Sequence, residues 1–172
     1  SKLGGKDPDR VSKSKAKPPK QRKQSNSAPD IELNSQIKET LELLNGSNQN
    51  IFITGRAGTG KSTLLNYFRN TTEKQVVVLA PTGVAALNVE GQTIHSFCGF
   101  PVDITVGRVK QLKPWQQKRK LLQKLDTIII DEISMVRADL LDCLDKFLRL
   151  NGRVKEAPFG GYQLVFIGDL YQ

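Results

Sequence analysis

Four short apolar runs punctuate the chain: Ile51 to Thr54, Gln75 to Ala80, Leu125 to Asp131 and Gln163 to Ile167. Continuous runs of this kind, rich in Val and Ile, read as strands buried on both faces of a parallel sheet. Between them the apolar positions change rhythm. Ile37, Leu41 and Leu44 recur at helical spacing before the first run, Leu64, Leu65 and Phe68 after it, and Leu140, Leu141, Leu144, Phe147 and Leu148 before the last. Asn45-Gly46 and Asn151-Gly152 supply helix stops. Strands alternating with helices predict an α/β fold of three layers around a mainly parallel sheet, and leave the order of the strands open.

Two segments fall outside this pattern. Residues 1–30 contain a single Val, a single Leu and no aromatic residue, too little apolar surface to offset the entropy of ordering, so a disordered tail is expected, with the folded domain at 31–172. Between Ile104 and Leu125 lie seven basic residues and no acidic one, around Trp115, the only tryptophan. Basic side chains around an aromatic ring fit strand binding. Val106, Val109 and Leu112 also keep helical spacing, so an amphipathic helix with a cationic solvent face is the competing reading, broken at Pro114.

Charge and cysteine content narrow the function classes. The net charge is +9, of which the first 30 residues carry +6 and the remainder +3. A basic tail serves equally as a tether to nucleic acid or as a solvated linker. Cys98 and Cys143 lie far apart beside a single histidine, so neither a zinc site nor a disulfide framework is signalled. With no run of membrane-span length and no apolar leader, an intracellular protein is expected, cytoplasmic and nucleoid-associated or nuclear, with no membrane partner. A first residue other than Met, and a last apolar run followed by only five residues, lead us to expect a fragment.

The candidate chemistry begins where the first strand ends. Gly55-Arg56-Ala57-Gly58-Thr59-Gly60-Lys61-Ser62 has the spacing G-x-x-x-x-G-K-[ST] between a strand and a helix. In such a loop, backbone N–H groups wrap phosphate oxygens with no side chain in the way. Lys61 is placed to reach the β- and γ-phosphates and Ser62 to offer its hydroxyl to Mg²⁺, with Thr63 next on the same turn. The alternative is an ordinary glycine-rich turn. Asp131, at the end of the third run, fits as the second Mg²⁺ anchor, and Glu132 beside it as the base that polarises the attacking water. Acids at a strand end can also cap the next helix. Gln36, just upstream, is a candidate for reading the adenine edge of ATP, or a solvated glutamine on an exposed face.

Three further stretches sit at carboxyl ends of strands, the edge where open α/β sheets bind ligands. Pro81-Thr82-Gly83 offers a hydroxyl and backbone N–H groups either to a nucleic acid phosphate or to a helix start as an N-cap; spacing does not choose. His95-Ser96-Phe97 holds the one histidine. No Ser/His/Asp arrangement surrounds it, so it is read as a surface for a base or phosphate rather than a catalyst. Gln172 is a candidate for sensing the γ-phosphate.

Taken in order, the loop 55–62, Ala80-Pro81-Thr82-Gly83-Val84-Ala85-Ala86, Thr93-Ile94-His95-Ser96-Phe97, Asp131-Glu132-Ile133-Ser134-Met135 and Gly168-Asp169-Leu170-Tyr171-Gln172 match helicase motifs. The chain from about Leu33 onward closely resembles the petite-integration-frequency family of DNA helicases, RecD-like members of superfamily one. The resemblance implies a RecA-like first motor domain, a P-loop NTPase that binds ATP and Mg²⁺, moves 5′ to 3′ on single-stranded DNA and unwinds duplex junctions. It implies DNA contacts at Pro81, Thr82, Gly83, His95, Ser96 and Phe97, and a Gln172 that couples the γ-phosphate to domain motion. Gln36 corresponds to the family's adenine-reading glutamine at a longer spacing from the cradle. Family members complete the site with an arginine finger from a second RecA-like domain, which would lie after Gln172; Arg56, inside the cradle, cannot replace it.

A reading from another class is a nucleotide-switched loader or scaffold that holds ATP in order to bind a partner. A small-molecule kinase is disfavoured, because no acceptor pocket is evident.

Overall fold

In the computed structural model, which describes residues 35–55 and 60–169, the predicted apolar runs pair side by side into one parallel sheet. The expected tail, residues 56–59 of the cradle, and Gln172 lie outside the described residues. The strands are β1 (Ile51–Thr54), β2 (Val76–Ala80), β3 (Gln92–Thr93), β4 (Thr127–Ile130) and β5 (Gln163–Gly168), in the order β1-β5-β4-β2-β3. The central pairings put Ile128 opposite both Val77 and Leu164, and Ile129 opposite both Val78 and Val165.

Successive side chains of a strand point to opposite faces, so these runs feed two separate cores. Ile128, Ile130, Leu79 and Leu164 turn to one face, where α7 (Ala138–Asn151) covers them with Cys143, Leu144, Phe147 and Leu148. Ile129, Val78, Val165 and Ile167 turn to the other, against Leu41 and Leu44 of α1 (Ser35–Gly46) and Leu64, Leu65 and Phe68 of α2 (Lys61–Thr71). The three layers expected from the alternating rhythm are present.

The smaller elements depart from expectation. β3 is only two residues long and carries no periodic signal. Thr82 and Thr93 start two short helices, α3 (Gly83–Asn88) and α4 (Ile94–Cys98), by accepting the N–H groups of Ala85 and Ser96. The basic segment forms α5 (Val106–Val109) and, beyond Pro114, α6 (Gln116–Lys124). Val109 and Leu122 are its buried positions, while most of its cations face solvent. The helical reading is realised in part, as two short helices with a cationic solvent face: Val109 is buried, but Val106 is exposed and Leu112 lies beyond the end of α5. No helix among the described residues is long and apolar enough to cross a membrane.

Candidate active site

Because every strand runs the same way, β1, β2, β3, β4 and β5 all deliver their carboxyl ends to one edge. The cradle occupies the β1 end. Gly60 holds φ +84°, a left-handed conformation glycine adopts without penalty, and its carbonyl accepts the Leu64 N–H at 2.9 Å to close the first turn of α2. The Lys61 ammonium donates to the Gly55 carbonyl, drawing the two ends of the loop together. Ser62 is exposed on that first turn, Thr63 is half-buried beside it, and the first turn itself carries no acidic residue.

A cavity of about 300 Å³ opens between this turn and α1, lined by Gln36, Thr40, Thr54, Gly55, Gly60 and Lys61. Gln36 and the cradle thus share one cavity despite their separation in sequence. Thr40 and Thr54 were not singled out from the sequence, since a threonine on an exposed helix face or at a strand end carries no signal of its own.

The acidic pair sits at the end of β4. The Asp131 N–H donates to the Leu79 carbonyl at 2.8 Å, extending the ladder to β2 by one residue and fixing where its carboxyl emerges. Burial pushes that carboxyl above the usual carboxylate range, opposed by a hydrogen bond from the Glu132 backbone and by the charge of Lys61. Lys61 and Asp131 therefore share one field across the edge. Glu132 is left-handed, with φ 51° and ψ 46°, a conformation that costs a non-glycine residue about 1 kcal/mol or more. Its carbonyl accepts the Met135 N–H at 2.9 Å, starting the 3₁₀ turn Ile133–Met135.

β5 lies between the cradle strand and the acid strand, so its last residues emerge between their two groups. Gly168 is pressed against the turn after Glu132: a β-carbon there would stand 2.7 Å from Ile133 Cγ2. Sequence reasoning passed over this glycine as part of a motif. Asp169 follows it, buried.

The oxygen donors Ser62 and Asp131 suit a hard cation such as Mg²⁺. Among the described residues no group of three or more His, Cys, Asp or Glu side chains could hold a metal by itself. The donor set fits a cation that takes its remaining ligands from phosphate and water, as Mg²⁺ does.

The other end of the edge carries the stretches read as DNA contacts. β3 pairs with β2 through Leu79 with Gln92 and Ala80 with Thr93, which brings the two threonine-capped turns side by side. Thr82, Gly83 and Ser96 are exposed, and Pro81 and His95 half-buried. The N-cap reading of Thr82 is realised, with its hydroxyl still open to solvent. The His95 ring meets Phe100 edge-on at 6.4 Å. Phe97 is a correction: its ring is 0% exposed in the core, with the Lys118 ammonium 3.8 Å above it, so it is no surface for a base. A lone aromatic in a five-residue helix has too little periodicity around it to reveal which way it points.

A parallel sheet whose cradle, Lys-Ser turn and Asp-Glu pair meet at one edge defines a P-loop NTPase of the RecA-like kind. Residues 32–172 match the PIF1-like helicase family, and the chain belongs to it. It is 41% identical over 147 residues to the ATP-dependent DNA helicase PIF1 of Emericella nidulans, covering 78% of this chain and 19% of that protein. Against the ATP-dependent DNA helicase PIF1 of Saccharomyces cerevisiae the identity is 42% over 147 residues, covering 80% and 17%. Among solved structures, Bacteroides Pif1 bound to ssDNA superposes with a TM-score of 0.72 at 41% identity, over 83% of this chain and 33% of that one. Pif1 helicase from Bacteroides in complex with ADP-AlF3 and ssDNA gives 0.73 at 40%, with the same coverage. The chain thus spans about a fifth of the length of those curated relatives.

Proposed function

We propose that this chain is the first motor domain of an ATP-dependent DNA helicase that moves 5′ to 3′ on single-stranded DNA and opens duplex junctions. The observation that carries the reading is the meeting, along one sheet edge, of the Gly60-Lys61-Ser62 turn, the Asp131-Glu132 pair and the capped turns at Thr82 and Thr93. Solved relatives bound to ssDNA and to ADP-AlF3 support it.

In this reading the cavity beside α1 takes the nucleotide, with Gln36 at the base and Lys61 at the phosphates. Ser62 and Asp131 hold Mg²⁺, which when bound neutralises charge on the phosphate oxygens. Glu132, fixed by its left-handed backbone, orients and deprotonates the attacking water. Pro81, Thr82, Gly83, His95 and Ser96 grip the strand by its phosphates, and Gln172 links the γ-phosphate to domain movement. An arginine from a second RecA-like domain stabilises the transition state. Without it, turnover falls by roughly 10³ to 10⁵, by analogy with GTPases. The buried thiols Cys98 and Cys143 accord with a reducing compartment, cytoplasmic or nuclear.

The test is single-strand affinity with and without a non-hydrolysable ATP analogue. Thr82→Ala combined with Ser96→Ala should weaken binding, and Lys61→Ala should remove the response to the analogue. If deleting residues 1–30 abolishes binding while the Thr82/Ser96 change does nothing, the folded part is a nucleotide switch and the motor reading fails.

A further inference from the structure

Beyond the edge that carries Thr82 and Ser96, a second cavity of about 280 Å³ opens between α4 and the connection from α5 to α6. Leu112 lies on its apolar side with the fully buried Phe97 behind it, Trp115 walls it, and Lys113, Lys118 and Ser96 stand around it. We propose that this cavity receives one base of the bound single strand, stacked on Trp115, with Lys113 and Lys118 on the flanking phosphates. The proposal rests on the reading that this edge binds single-stranded DNA, and adds a base-holding site to it.

Three independent features converge. Trp115 is 71% exposed, leaving a large apolar face in water beside a concavity, so covering it by stacking is favourable. Lys118 is not a loose surface cation. Its ammonium lies 3.8 Å from the Phe97 ring centroid, a cation–π contact that holds the charge at the cavity, and its partial burial lowers its pKa. Finally, the segment from Ile104 to Leu125 holds seven basic residues and no carboxylate to repel a phosphate.

Shape and size choose the ligand class. The cavity lies at the small end of the range for small-molecule pockets, which suits one planar heterocycle. An apolar wall with a cationic rim is complementary to a nucleotide, and stacking accepts any base, as a strand-tracking protein requires. Ser96 belongs both to this cavity and to the phosphate-facing edge, so a strand crossing one reaches the other without a gap.

Trp115 is the only tryptophan in the chain, so its emission reports on this site alone. The experiment titrates the full chain with labelled oligothymidylate and with a strand of equal length made of abasic sugar-phosphate, following tryptophan emission and label anisotropy together. We expect oligothymidylate to quench Trp115 and the abasic strand to bind without quenching. Trp115→Ala should weaken oligothymidylate binding by about tenfold, leave the abasic strand unchanged, and be largely rescued in Trp115→Phe. Because the side chain is exposed, neither variant threatens the fold. Equal affinity of wild type and Trp115→Ala for oligothymidylate, with binding still sensitive to Thr82 and Ser96, overturns the base site while the strand reading stands. If neither strand binds the wild-type chain, the strand reading falls and the base site with it. Displacement of both strands by polyglutamate, with no difference between them, marks a general anion surface and also overturns the proposal.

Discussion

Gly168 and Ile133 meet so closely that a β-carbon on the glycine would stand 2.7 Å from Ile133 Cγ2. The contact joins the end of β5 to the turn that begins at Glu132, so any displacement of one is felt by the other. Gly168→Ala is expected to cost about 1–3 kcal/mol through overpacking and to shift the Glu132 backbone out of its left-handed position. ATP turnover should fall more than nucleotide affinity does. The double variant with Ile133→Ala should recover most of the lost turnover, since it removes the atom that is struck. Additive effects in that cycle would show that the two residues act separately.

Asp131 gives a pH dependence whose sign follows from its burial. Its folded-state pKa is raised above the ordinary 3.8, so between that value and the raised one the folded protein binds more protons than the unfolded chain. Stability therefore falls as pH rises through that window, and the cost of the buried carboxylate persists at neutral pH. Asp131→Asn should raise the Tm of the nucleotide-free protein at pH 7 by a small amount, on the order of 1–3 °C, and flatten its dependence on pH in the acid range. The same variant should lose Mg²⁺-dependent turnover. Melting curves across pH read the first effect, and phosphate release reads the second.

At the opposite, amino edge of the sheet, Lys74 holds the fold without touching the site. Its ammonium donates to the carbonyls of Leu44 and Ser47 at 2.7 Å and to Gln163 Oε1 at 2.9 Å. Gln163 also accepts from the buried Thr127 hydroxyl at 2.8 Å and donates to the Ser47 and Gln49 carbonyls. Lys74→Met leaves carbonyls at the end of α1 short of a donor, and should cost about 1.5–3 kcal/mol in chemical denaturation. Nucleotide affinity should stay within about twofold, because the cradle lies at the far end of the strands.

How much of this could be read beforehand depended on repetition. The four main strands were legible because Val76 to Ala80 and Thr127 to Ile130 are continuous apolar runs, and the cradle because its spacing has a mechanical reason. Strand order was not, since strands buried on both faces look alike whichever neighbours they have. β3 is too short to show a period. Gln36 was legible as a candidate only from its place upstream of the cradle, with a solvated glutamine as the equal alternative; that α1 packs against α2 and brings it to the cavity beside Lys61 could not be read from the chain. Phe97 was misjudged because its helix has a single turn, and Trp115 was legible as an aromatic among cations, but not the cavity it walls, which forms only when α4 packs against the connection from α5 to α6.

Thr82 has two roles to separate, and a charge substitution does it. Its hydroxyl accepts the Ala85 N–H at 3.2 Å, so Thr82→Ala should cost about 1 kcal/mol as a lost cap whatever the residue does for DNA. Asp is as good a cap as Thr, so Thr82→Asp should melt like the wild type while setting a negative charge where a phosphate is expected. If Thr82 grips the strand, that variant loses single-strand affinity by about tenfold or more, while Thr82→Ser keeps both stability and binding. The loss should grow as salt is lowered, because the repulsion is then less screened. Wild-type affinity in Thr82→Asp at low salt would leave Thr82 as a helix cap alone and remove it from the strand site.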